Sequence, residues 1–136
     1  MPDVLLKQDS EALLLNPPED SLIYETDLVY AALAQRPFSR GHTIVVWKKP
    51  VSDLGVMDAK DYAYFMFTVD KVRNALLKVL RVKKVYLMYM DETKHVHWHL
   101  IPRHHLMGFA LLRVHPKKQL TFPLAVKLRR ELGHKQ

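Results

Sequence analysis

The chain predicts a single mixed domain in which several short strands are combined with one long amphipathic helix. Three observations carry this. Runs enriched in β-branched and aromatic residues recur between Pro-, Gly- and charge-rich breaks, over residues 21–26, 27–34, 42–47 and 83–90. Apolar residues at spacings of three and four mark a helix over residues 58–80. A strictly alternating run, His95-Val96-His97-Trp98-His99-Leu100-Ile101, follows the last of those strands after only four polar residues. With 136 residues, 49% of them apolar and 26% charged, one core of ordinary size is expected.

Taken in order, residues 9–20 read as a short helical turn or an extended apolar piece, stopped by Pro17-Pro18. Residues 21–26 and 27–34 read as two strands meeting near Glu25 and Asp27, although the alanines in the second also permit a helix. The Gln35 to Gly41 stretch is a loop by its Pro and Gly, and residues 42–47 form a buried strand ended by Lys48-Lys49-Pro50. In the helix, Asp58 can cap the start, and Tyr62, Phe65, Met66, Val69, Val72, Leu76, Leu77 and Leu80 make the apolar stripe. Residues 83–90 are then a strand, 91–94 a tight link, and the histidine run its antiparallel partner. A break at His115 to Lys118 precedes a second helix over 122–132, with Pro123 in its first turn. Residues 104–136 read as a basic extension of the same domain, and His104 and His105 as turn residues.

The formal charge of +7 is concentrated at one end. Thirteen basic residues balance thirteen acidic ones through Pro102, whereas eight basic residues stand against Glu131 alone from Arg103 onward. Such a segment can attract polyphosphates, RNA or an acidic partner, or serve only as a solvated face. With no cysteine, disulfides and thiolate metal sites are excluded. Acidic residues stand near the N-terminus where a leader would be basic, and no run is long and apolar enough for a membrane span, so a cytoplasmic protein is expected.

In an extended strand His95, His97 and His99 share one face, with Val96, Trp98 and Leu100 on the other. Zinc is the first chemistry to weigh, but His95 and His99 start about 13 Å apart, so the run alone cannot put three imidazoles on one ion. A consecutive pair with a third group such as His42 remains open. The other chemistry needs no metal: a neutral imidazole held at one nitrogen presents the other as a nucleophile, and flanking imidazoles donate to phosphate oxygens. His97, the central member, is the natural nucleophile.

These residues also resemble the signature of the histidine triad (HIT) superfamily of nucleotide hydrolases and transferases. The similarity extends to Tyr24, residues 29–34, Pro37, Gly41-His42, Lys48-Lys49-Pro50 and the long helix, and covers about residues 20–103. The resemblance implies an α+β fold with an antiparallel five-stranded sheet, usually a homodimer, needing no cofactor. It implies attack by His97 on the α-phosphate of a nucleotide, such as a dinucleoside polyphosphate or a phosphoramidate, through a nucleotidyl-histidine intermediate. His95 and His99 would contact the phosphate or leaving group, and His42 would support the triad. His42 also reads as a core histidine at a strand start. Two departures stand out: the link over 91–94 carries the acids Asp91 and Glu92 where relatives often have a Gly-rich loop with neutral donors, and Ala34 stands where Asn or Asp is frequent. Thr93 is the hydroxyl left in that link, and Arg103 a cation just past the strand, so both are candidates for substrate binding. A fold retained only to bind nucleotide or RNA is the alternative to an enzyme.

Overall fold

A computed structural model describes residues 10–134. The reading of the N-terminal acids, and Lys135, lie outside the described residues. Five strands form one antiparallel sheet in the order β1-β2-β3-β5-β4, with β1 at Leu22–Glu25, β2 at Val29–Leu33, β3 at Thr43–Trp47, β4 at Val85–Tyr89 and β5 at His97–Pro102. Helix α1 spans Glu11–Leu15, α2 Ala59–Leu80, α3 Phe109–Leu112 and α4 Leu124–Leu132.

The alternation of strand side chains divides the molecule into two apolar layers. On one face Val29, Ala31, Leu33, Val45, Trp47 and Leu100 pack with Phe65, Val69, Val72 and Leu76 of α2 and with Ala125 and Leu128 of α4. On the other face Tyr30, Ala32, Ala34, Ile44 and Val46 pack with Leu14 of α1. Every residue of β2 and β3 is buried, which is why those runs are apolar apart from Thr43, whose hydroxyl donates to the Gly41 carbonyl at 2.8 Å. Helix α2 begins where expected, because the Asp58 side chain accepts from the Asp61 amide at 2.8 Å. It ends with Arg81 in the left-handed region, φ 55°.

Three expectations need correction. Tyr62, placed on the buried stripe of α2, is 42% exposed, and the polar Thr68 is buried there, its hydroxyl bonding the Tyr64 carbonyl at 3.0 Å. The link between β4 and β5 runs from Met90 to Val96 rather than over four residues, with a turn closed by the Lys94 amide on the Asp91 carbonyl at 3.0 Å. His95 therefore precedes the strand instead of opening it. The alternation still holds there, since Val96 donates to the Val51 carbonyl at 2.9 Å and lies in the core. The short helix α3 had no signal in the sequence, and it packs by Leu111 against Phe38 and Ile101.

Candidate active site

The sheet register sets the histidines. Val46 of β3 stands beside His97 and Ile44 beside His99, so both imidazoles share the face that carries Tyr30 and Ala32. His42 immediately precedes β3 on the same parity. It is placed by Gly41, whose φ of 91° turns the chain into the strand where a Cβ would lie 2.5 Å from Leu80 Cδ1. His42, His97 and His99 are fully buried and His95 is 3% exposed. The ring centroids of His97 and His99 are 5.4 Å apart, and those of His42 and His99 5.1 Å.

Hydrogen bonds order the ring nitrogens. His95 Nε2 lies 2.6 Å from the Trp47 carbonyl, and His97 Nδ1 lies 2.6 Å from the His95 carbonyl. A carbonyl only accepts, so each of these nitrogens donates. A neutral His97 then carries its proton on Nδ1 and its lone pair on Nε2. A second chain runs through His42. The Phe38 amide donates to His42 Nδ1 at 3.1 Å, and His42 Nε2 lies 2.9 Å from His99 Nδ1. A neutral His42 must carry its proton on Nε2 and donate it to His99, and a neutral His99 then bears its own proton on Nε2. The His95 carbonyl thus fixes His97 as a lone-pair donor, and the Phe38 amide, through His42, fixes His99 as a proton donor.

The other candidates are placed differently. Thr93 lies in the link before β5, and its hydroxyl is buried with no hydrogen-bond partner among the described residues. Arg103 follows the far end of β5, about 20 Å along the strand from His97, where it donates to Met107 Sδ at 3.5 Å. The structure does not bring Arg103 to the triad. His104 turns away as well, with Nε2 2.8 Å from the Arg40 carbonyl. Among the described residues no three His, Asp or Glu side chains are grouped to hold a metal ion, and no helix is long and apolar enough to cross a membrane.

A pocket that sequence reasoning missed lies on the histidine face. Its volume is about 140 Å³, with Tyr30, Ala32, Ala34 and Ile44 as floor, Leu14 and Pro17 as wall and Arg36 and Lys118 at its edge. The signal was the small side chains: Ala32 and Ala34 leave space where bulkier residues would fill the layer. The Tyr30 hydroxyl donates to the Leu14 carbonyl, tying α1 across this face. Burial, and then the charge of Glu25, holds the Tyr30 phenol far above its ordinary range.

Comparison with known proteins places this geometry. The HIT domain family model matches residues 17–106. An uncharacterised HIT-like protein of Borreliella burgdorferi is 33% identical over 101 residues, 67% of this chain and 71% of that protein. Among solved structures, a zinc-bound histidine triad family protein from Mycobacterium smegmatis superposes with a TM-score of 0.70 at 23% identity, over 90% of each chain. The diadenosine triphosphate hydrolase of Plasmodium falciparum, in complex with cyclomarin A, gives 0.68 at 14% identity over 87% of this chain and 80% of its own. Both share the α+β fold with its five-stranded antiparallel sheet.

Proposed function

The chain belongs to the HIT domain family, and from that premise we propose that it is a nucleotide hydrolase or nucleotidyltransferase acting at the α-phosphate through a covalent bond to His97. The observation that carries the reading is the bond from His97 Nδ1 to the His95 carbonyl, which leaves the lone pair on Nε2. In the first step that lone pair forms an N–P bond as the bond from phosphorus to the leaving group breaks, and the leaving group departs with its electron pair and takes up a proton. The imidazole becomes cationic, so its Nδ1–H bond to the carbonyl strengthens as charge develops. His99 donates from Nε2 to a phosphate oxygen, and His42 holds it in that tautomer. His95, whose Nε2 is engaged by the Trp47 carbonyl, acts by holding the carbonyl that orients His97. Thr93 supplies a hydroxyl to the phosphate. Water or another acceptor then attacks phosphorus, the N–P bond breaks and the neutral ring returns.

Mass measurement of enzyme quenched during turnover of a dinucleoside polyphosphate or a nucleoside phosphoramidate tests this. A nucleotidyl adduct is expected on the wild type and none on His97→Ala. No adduct, together with unchanged turnover in the variant, refutes the reading.

The reading includes a homodimer and a cytoplasmic setting. Arg129 donates to the Leu22 carbonyl at 2.6 Å and so covers the β1 edge, whereas β4 ends the sheet at the other side with its own Leu87 41% exposed. A binding module without turnover is the second reading, favoured by the complete burial of His97 and by Asp91 and Glu92 in the approach to it. It requires nucleotide affinity without product, and RNA binding through the basic segment that weakens steeply with salt.

A further inference from the structure

The family match ends at residue 106, yet Lys118 beyond it lines the pocket on the sheet face that carries the triad. The stretch between α3 and α4 is pinned at Gln119, whose backbone amide donates to the Gln35 carbonyl at 2.8 Å and whose side-chain amide donates to the Ala34 carbonyl at 2.9 Å. From there the chain enters α4, anchored in the core by Leu124, Ala125 and Leu128. Gln119 and α4 thus hold the chain on the C-terminal side of Lys118, which stands at the pocket edge with its side chain exposed. Arg36 stands at the same edge, engaged by other groups of the chain and adding to the positive field. None of the residues lining this pocket is acidic. The neighbouring hollow on the same face differs, since its Lys48 is matched by Glu25 at 2.8 Å.

Ala34 ties this pocket to the histidines, since its amide bonds the His42 carbonyl at 2.8 Å and His42 bonds His99. The lining combines the apolar Leu14, Ala32, Ala34 and Ile44 with the cations Arg36 and Lys118. A bare polyphosphate chain would place charge against Ala32 and Ile44, whereas part of a nucleoside can cover the apolar groups while an anion on its sugar meets the lysine.

We propose that Lys118, brought in by the segment after residue 106, makes this pocket selective for nucleotides carrying a second phosphate ester on the sugar. This rests on the nucleotide reading above. A lysine whose backbone is anchored at the mouth of an apolar pocket forms a charge-assisted bond to such a phosphate at the cost of ordering only its own side chain.

Calorimetric binding, which needs no turnover, tests it: a nucleoside 5′-monophosphate is compared with its 2′,5′- and 3′,5′-bisphosphates. At low salt one bisphosphate is expected to bind about tenfold tighter than the monophosphate, the two arms reporting which hydroxyl is esterified. In Lys118→Ala the ratio should fall to near one, in Lys118→Arg it should persist, and it should shrink as salt screens the pair. The exposed Lys127→Ala controls for general loss of charge and should leave the ratio alone. A wild-type ratio of one, a ratio untouched by Lys118→Ala, or an equal loss in Lys127→Ala overturns the inference while leaving the nucleotide reading standing. Failure of every nucleotide to bind overturns both.

Discussion

Truncating Leu128 tests whether the residues beyond the family match are part of the folding unit. Leu128 is fully buried on α4, in the same cluster as Phe65, Val69 and Leu76 of α2 and Val29 and Ala31 of β2. Leu128→Ala removes the transfer free energy of the deleted carbons and leaves a cavity that closes only in part, so the cost is about 2–5 kcal/mol. Unfolding entropy near 60 °C is about 2.1 cal/mol/K per residue, or roughly 0.29 kcal/mol/K over a chain of this length, so the melting temperature should drop by about 7–17 °C. Thermal and urea unfolding followed by circular dichroism measures it, with Leu120→Ala as the reference. Leu120 lies in the same segment but is 80% exposed, so its truncation should change stability by no more than about 0.5 kcal/mol. A single transition moved down in temperature, with an unchanged urea slope, is the expected result. A loss below about 1 kcal/mol, or a separate early transition for the C-terminal segment, refutes the view that α4 closes the main core.

Two further predictions concern the sheet around the histidines. Gly41→Ala must fit a Cβ 2.5 Å from Leu80 Cδ1 at a φ of 91°, which L residues rarely adopt, so it should cost about 1–3 kcal/mol in urea unfolding even after Leu80 moves. Tyr30 holds its proton to higher pH in the fold than in the unfolded chain, so the native state binds more protons above about pH 10 and stability falls as pH rises from there. Tyr30→Phe should flatten that fall, seen in urea midpoints at about pH 8 and about pH 11, while losing about 1 kcal/mol at the lower pH with its bond to the Leu14 carbonyl.

The strands, the long helix and the face shared by His97 and His99 were legible because each depends on periodicity within one segment. Asp58 was readable as a cap for the same reason, its acceptor and the Asp61 amide being three residues apart. The features that escaped depend on groups distant in sequence. That His95 Nε2 meets the Trp47 carbonyl depends on bringing together residues 48 apart in the chain. Arg103 looked close to the triad because six residues is a short separation in sequence, but along an extended strand it is a long one. The helix over 122–132 was legible as an appendage of the domain, but its place was not, since neither its periodicity nor charge counting shows that Leu124, Ala125, Leu128 and Leu132 enter the main core. Helix α3 spans four residues and is closed mainly by tertiary contact, so no local signal announced it.

The alanines of β2 connect these two halves of the reading. In sequence they made the strand assignment ambiguous, because Ala favours helix. In the sheet they divide by parity. Ala31 faces the main core, where a small side chain lets the layer against α2 close, and Ala32 faces the histidine side, where the same smallness leaves volume open. Ala34 continues that second parity just past the strand. Its carbonyl accepts the Gln119 side chain, so the residue that leaves space for a ligand also anchors the segment that brings Lys118 to it. The tautomer of His97 therefore rests on the His95 carbonyl in the link before β5. The proposed selectivity rests on an alanine and a glutamine 85 residues apart, where no local pattern records the connection.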